Sequence, residues 1–289
     1  MTAFHFSKTL HKLGLVSLVG VLVLSSCSQK NTTTPEIEST PISSATASPT
    51  PEPVKKLTVC LGEEPASLYL YENASQAMWS VLEAIYDGPI DTQNNMQVPV
   101  ILGELPTIAN GGVTLQSVAV KAGDRVANIE GDVVALQKGV KVFAEGCSSP
   151  DCAVEWDGSS ELSLTQMKTK FILLPGILWS DGQPLTANDS VYSYQLSGDP
   201  DTRVSKKLFE LTALYEATDD QTVEWTGIPG YLTMRPANFF WIPQPQHLMQ
   251  GLSAAELNDA DLTNKAPVGW GAYQLAEWIP GQSIRLVKN

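Results

Sequence analysis

The body of this sequence predicts a mixed α/β fold, and three observations carry that expectation. One amphipathic helix sits near the start of the body, where Met78, Val81, Leu82 and Ile85 recur at three- and four-residue spacing. A long stretch from 111 to 145 alternates in part and is punctuated by Gly-Asp pairs at 123–124 and 131–132, the mark of short antiparallel strands joined by tight turns. Strands and helices then mix without the regular strand–helix repeat of a doubly wound sheet.

The elements follow in order. Lys56 to Leu61 (KLTVCL) is a short β-type run and is expected to be a first strand, with Cys60 a buried small hydrophobe inside it. The loop GEEPASLYLY leads into the helix Ala74 to Tyr86, which Asp87-Gly88-Pro89 stops. Val98 to Ile108 is a further short segment, and the 111–145 stretch is expected to hold three to five strands. A second β-rich stretch runs from about Leu162 through KFILLPG to Trp179. Thr186 is placed as the N-cap of a helix reaching Leu196, with Asp189 adding negative charge in its first turn. Strands are expected near Leu214–Ala217 and Thr222–Trp225, a short helix over Leu252–Leu262, and a closing hairpin around Pro280-Gly281. No internal repeat is evident.

The N-terminus reads as an export signal. Lys8, His11 and Lys12 precede twelve almost purely aliphatic residues, Leu13 to Leu24. That run is too short to span a bilayer, which needs roughly 20 residues, and matches a signal h-region. Leu24-Ser25-Ser26-Cys27 resembles the bacterial lipobox, which implies cleavage before Cys27 and lipid on its thiol. Residues 1–26 are therefore expected to be removed. Residues 27–55, dominated by Pro, Ser and Thr, are expected to form a disordered tether, because they hold too little apolar surface to offset ordering entropy. The expected location is the outer face of the cytoplasmic membrane.

About 235 residues then remain as the body, 56–289, enough for one large domain or two small ones. The formal net charge of −13 becomes more negative without the signal, which carries Lys8 and Lys12 and no acid. Such charge disfavours nucleic acid and anionic headgroups as partners. Cys147 and Cys152, in GCSSPDC, are either a local disulfide or free thiols, and the export signal favours the disulfide. No metal site and no cofactor are expected: His247 is the one histidine after the signal, and no further Cys or His pairs occur.

Several segments resemble one family, the extracytoplasmic solute-binding proteins of ABC importers, oligopeptide/dipeptide class. PGILWSDGQPLTANDSVYSY (175–194) is similar to that family's pattern of apolar-Trp-x-Asp-Gly-x-Pro-apolar-Thr-Ala-x-Asp leading into a helix. PVGWGAYQLAEWIPGQSIRLVKN (267–289) is similar to its Pro-Val-Gly-x-Gly-x-Tyr segment and hairpin. EEPASL, AIYDGPI and IPQPQHLM resemble further family features, in the family's order. The resemblance flanks 109–170, which reads as a β-rich insertion. Where the family usually has Thr-Gly-Pro-Tyr, this chain has Trp270-Gly271-Ala272-Tyr273, so the local wall is expected to differ.

The resemblance implies a type II periplasmic-binding-protein fold with an incomplete first lobe, since the family's chains are considerably longer and form two lobes. It implies a non-enzymatic, monomeric binder that captures peptides or similar small solutes and delivers them to ABC permease subunits. Glu64 and Ala66 match positions of the cleft-lining loop, and Tyr192 and Trp270 are the next ligand-contact candidates. Trp179, Asp181 and Gly182 read as structural, a buried ring followed by a turn. Two alternatives come from the residues themselves. One is an exported hydrolase working through His247, although no Gly-x-Ser-x-Gly elbow is present. The other is a surface scaffold or adhesion module built on the β-rich segment.

Overall fold

A four-stranded antiparallel sheet organises the chain, in a computed structural model that describes residues 55–289 apart from Asn73 and Ser148. The signal, the tether and the lipid attachment expected at Cys27 lie outside the described residues. Chain order gives α1 (Gln76–Ile85), β1 (Ile90–Gln93), β2 (Met96–Pro99), β3 (Val113–Val120), β4 (Arg125–Ala127), β5 (Val133–Ala135), β6 (Lys141–Val142), β7 (Val154–Glu155) and β8 (Leu162–Ile172). After these come α2 (Ala187–Gly198), α3 (Lys207–Glu210), β9 (Thr212–Ala217), β10 (Thr222–Gly227), α4 (Gln246–Met249), α5 (Ala254–Asp259), α6 (Asp261–Asn264), β11 (Tyr273–Ile279) and β12 (Ser283–Lys288).

The main sheet has the order β3-β8-β10-β9. Its spine is β8, which buries Leu162 and Leu164 on one face in its first half and Met167, Thr169 and Phe171 on the other face in its second, the change of face falling at Gln166–Met167. β3 pairs along most of it, from Val113 opposite Thr169 to Val120 opposite Leu162. On the other side β10 and β9 form a hairpin whose turn is fixed by the Asp219 carboxylate accepting the Gln221 amide at 2.8 Å. α2 lies over this hairpin. Ser190 bonds both the Tyr215 hydroxyl (2.7 Å) and the Trp241 carbonyl (2.6 Å), so the polar atoms of that face are satisfied where they are buried.

α1 forms because its apolar residues make one stripe, burying Met78, Val81, Leu82 and Ile85, and because the Ser75 hydroxyl accepts the Met78 amide at its start. That stripe completes the principal core with Phe171, Trp179, Val223, Trp225, Phe239 and Trp270. Six of the seven tryptophans donate their indole N–H to a protein acceptor, the condition for burying so polar a ring edge.

The β-rich stretch is not separable at 109 and 170. Its outer strands, β3 and β8, are members of the main sheet, and the part projecting from their far ends is β4–β7. Two small ribbons, β4-β5 and β6-β7, close there over a core of their own, made by Val126, Leu136, Val142, Trp156 and Leu164. Cys147 and Cys152 are disulfide-bonded at its rim, with Cα atoms 5.7 Å apart.

Two expectations fail. Residues 56–61 form no strand, and Cys60 is exposed, with Leu57 87% and Val59 69% accessible. Their alternation suits a half-buried ladder, but no described strand pairs with them, so the side chains have no face to bury. The helix expected over Leu252–Leu262 is split into α5 and α6, because Ala260 takes an extended conformation between them (φ −72°, ψ 138°).

Candidate functional site

The two segments singled out in the sequence meet where the turn after Trp179 reaches the turn before β11. Residues 179–183 form a tight reversal: Trp179 N–H donates to the Gln183 carbonyl and Gly182 N–H to the Trp179 carbonyl, both at 2.8 Å. Gly182 has φ +87°, a conformation in which a side chain would be strained. Next to it, Ser180 N–H donates to the Gly269 carbonyl at 2.8 Å. The two sequence segments, 175–194 and 267–289, are therefore directly bonded through the backbone.

Trp270 sits at the joint. Its ring meets Trp179 edge to face at 5.4 Å and Tyr86 at 5.1 Å, and its N–H donates to the Asp87 carbonyl at 2.9 Å. Only 9% of the residue is exposed, so both faces and the donor are committed to the protein. The flanking glycines explain how so large a ring fits. A Cβ at Gly269 would fall on the Ile85 carbonyl oxygen, and one at Gly271 would come within 2.7 Å of the Ala84 and Ile85 carbonyls. The absent side chains let this turn lie directly on the end of α1, where Gly271 N–H donates to the Ile85 carbonyl at 2.7 Å.

Asp189 holds the second side of the joint. Its carboxylate is 5% exposed and accepts from Thr186 N–H (2.8 Å), Gln246 N–H (3.1 Å) and Trp179 Nε1–H (3.4 Å). It thus ties the start of α2, the WSDG turn and the PQPQHL segment together. Burial pushes its carboxyl above the ordinary carboxylate range, and the three donors oppose that shift. Immediately after Gln246, His247 Nε2 bonds Asp181 Oδ2 at 2.7 Å. Burial alone would raise the Asp181 carboxyl, but the bond from His247 and the Gln183 amide outweigh it and hold it below its usual value.

Glu64 holds the tip of the following hairpin from the other end of the chain. Its carboxylate accepts Trp278 Nε1–H at 2.8 Å and Gly281 N–H at 2.9 Å, pinning the 62–67 loop to the β11–β12 hairpin. Ala66 beside it is exposed, whereas Pro65 and Ser67 are buried. Tyr192 lies apart from this rim. It packs with Tyr69, Leu196, Met249 and Leu257 in a separate cluster under α2. The Tyr192 and Tyr69 hydroxyls are both buried without a protein partner, and burial holds both phenols well above their usual range. The structure thus places Glu64 and Ala66 at the tip end of the β11–β12 hairpin, Trp270 at the base of β11, and Tyr192 in a separate cluster.

The sequence reading passed over the Glu64–Trp278 and Asp181–His247 pairs. Their partners are 214 and 66 residues apart, and nothing local in either segment signals them. The His247 ring, on which the hydrolase alternative rested, is bonded through Nε2 to Asp181. Two depressions lie elsewhere. One of 270 Å³ is lined by Asn128, Glu130, Val134 and Lys141 on the β-rich projection. Another of 220 Å³ lies beside Glu104, Asn110 and Lys170.

Comparison with known proteins places these features. The pattern of bacterial extracellular solute-binding proteins, family 5 (middle region), matches residues 149–289. The periplasmic oligopeptide-binding protein OppA of Escherichia coli is 34% identical over 236 residues, which cover 72% of this chain and 40% of that one. The oligopeptide-binding protein AppA of Bacillus subtilis is 26% identical over 121 residues, 39% of this chain and 21% of AppA. An oligopeptide-binding protein from Thermus thermophilus, solved with a pentapeptide, superimposes with a TM-score of 0.53 at 15% identity. That superposition covers 78% of this chain and 36% of the solved one and shows a shared fold, mixed α/β of the type II periplasmic-binding class. The chain spans well under half the length of these relatives. It is related to family 5 of the bacterial extracellular solute-binding proteins.

Proposed function

We propose that this family 5 solute-binding chain is the substrate-capturing component of an ABC importer. It supplies part of the wall against which peptides or similar small solutes are held before delivery to a membrane permease. The reading is supported above all by the joint at Ser180–Gly269 and Trp179–Trp270, which unites the two segments that resemble the family. The loop carrying Glu64 and Ala66 is fastened through Trp278 and Gly281 to the hairpin that continues from that joint.

In this reading Trp270 is a structural pillar, and the groups free to meet a ligand are on the rim. Ala66 is exposed there, and the backbone of the 62–67 loop can offer hydrogen bonds to an extended peptide, which needs few side-chain determinants. Glu64 offers negative charge to a peptide ammonium once it exchanges a hairpin partner for the ligand. Lipid on Cys27 and the 27–55 segment would keep a monomeric binder at the outer face of the cytoplasmic membrane, within reach of the permease. One acyl chain alone holds a protein only marginally, so the anchor needs the multiple chains that a lipoprotein cysteine carries.

Ligand-observed NMR tests the binding claim. Saturation-transfer signals from a mixture of short peptides at millimolar concentration are expected, with weaker ones from free sugars. Strong response to sugars and none to peptides would overturn the cargo assignment. Radiolabelled palmitate should enter the wild-type chain and not the Cys27→Ala variant in a bacterial host. Equal labelling of both would overturn the anchor.

A further inference from the structure

The connection between α2 and α3 is folded around the ammonium of Lys206. Its Nζ donates to the carbonyls of Ser197 (2.9 Å), Asp199 (2.5 Å) and Thr202 (2.9 Å). An ammonium has three donors and no acceptor, so these three bonds use its whole capacity. Ser197 belongs to the last turn of α2, where carbonyls have no partner within the helix, and Asp199 is the C-cap residue. The negative end of the helix dipole adds to the attraction for a cation at that point.

We infer that the carbonyls of Ser197, Asp199 and Thr202 form a monovalent-cation site, which the chain fills with its own Lys206 ammonium. The spacing selects the class of cation. Two of the three oxygens, at 2.9 Å, are too distant for calcium, which prefers roughly 2.3–2.6 Å, and all three are too distant for magnesium at about 2.0–2.1 Å. Rings of carbonyl dipoles at longer range are how proteins replace the hydration shell of potassium. Ammonium matches the same spacing.

The site orders a segment that other contacts then exploit. Thr202 is 3% exposed, and the Asp201 carbonyl accepts the Asn258 amide at 2.8 Å. Arg203 Nη1 bonds Glu72 at 2.7 Å, and Nη2 lies 3.8 Å from Asp259. The loop thus spans α2, the 69–72 segment and α5. With the carbonyls fixed from inside by Lys206, Arg203 projects outward to reach both acids. Lysine suits the site and arginine does not, because three carbonyls converging on one point need a compact charge with rotatable donors rather than a planar fork.

Chemical complementation tests this without reference to ligand binding. Lys206→Ala should melt several degrees below wild type in sodium or tetramethylammonium chloride, and ammonium or potassium chloride at equal ionic strength should restore at least half of the loss. The wild type should show no such preference between salts. Lys206→Met, which keeps the methylene stem, should also melt several degrees low. Should Lys206→Ala fail to fold, Lys206→Arg becomes the informative variant and is expected to be destabilised despite its charge. Stability equal to wild type in Lys206→Met or Lys206→Arg would overturn the proposal, as would a Lys206→Ala deficit that no small cation repairs.

Discussion

The indole of Trp179 meets that of Trp270 edge to face at 5.4 Å, and the backbone beside them is bonded from Ser180 N–H to the Gly269 carbonyl. This pair joins segments about 90 residues apart in sequence through the buried core. Either ring truncated to alanine should cost about 3–5 kcal/mol, the usual range for removing a buried aromatic. Urea unfolding of Trp179→Ala and Trp270→Ala measures this. Trp270→Phe should lose less, since it keeps one aromatic ring in place while giving up the rest of the indole and its bond to the Asp87 carbonyl.

Gly269 gives an independent check on the same joint. A methyl group there would collide with the backbone at Ile85, so Gly269→Ala should destabilise by about 3 kcal/mol or more through forced separation of α1 from the turn. Gly62→Ala is the control, with nothing within 4 Å of its added carbon. It should shift stability by no more than about 0.5 kcal/mol. Thermal unfolding of both variants decides whether close approach explains the glycine.

The Asp181–His247 pair predicts a pH dependence. The folded-state carboxyl of Asp181 is held below its unfolded value, so its contribution is complete above the unfolded pKa and is lost as pH falls through the folded one. Both side chains are about 30% exposed, so solvent screening keeps the effect below about 1 kcal/mol. Asp181→Asn should flatten the stability-versus-pH curve in the acidic range alone. Asp189 acts in the opposite sense: its raised carboxyl means that falling pH relieves a cost of burial. Subtracting the variant curve from the wild-type curve isolates Asp181.

Glu64→Ala should free the hairpin tip. With the carboxylate gone, Gly281 N–H and Trp278 Nε1–H lose their acceptor. Faster amide exchange at Gly281 and a red-shifted Trp278 emission are expected, while amides of the main sheet stay protected. Unchanged exchange at Gly281 would show that the loop and hairpin are not coupled through this residue.

Reduction of Cys147–Cys152 should act locally. The bridge closes a short loop at the rim of the β-rich projection, for which chain entropy gives a contribution of roughly 2 kcal/mol. The Cys147→Ser/Cys152→Ser variant should loosen amides in β6 and β7 and leave β9 and β10 unaffected. Exchange mass spectrometry resolves the two regions.

Much of this fold was legible because its determinants are local. Thr186 and Asp189 mark the start of α2, the stripe from Met78 to Ile85 marks α1, and Pro280-Gly281 marks the last turn, each within a few residues of sequence. The run at 56–61 misled for the same reason: its alternation is a local signal, but a strand exists only where a neighbour supplies the other half of the ladder. The candidate site was less legible. Trp270 between two glycines suits a stacking surface or a packed pillar equally, and only Asp87, Tyr86 and Trp179 closing around it decide for the pillar. Tyr192 drew notice as an aromatic on a helix, yet the face it occupies is set by residues 69, 249 and 257, far away in the chain.

The proposed ligand-facing surface is the 62–67 loop together with the 267–282 turn and hairpin, tied to that loop through Glu64. Hydrogen–deuterium exchange of this chain with and without millimolar mixed tri- to pentapeptides tests it most directly. The account predicts modest added protection within those two segments, from weak binding, and none in β4–β7. Protection confined to the β-rich projection, or no change in either rim segment, would contradict it.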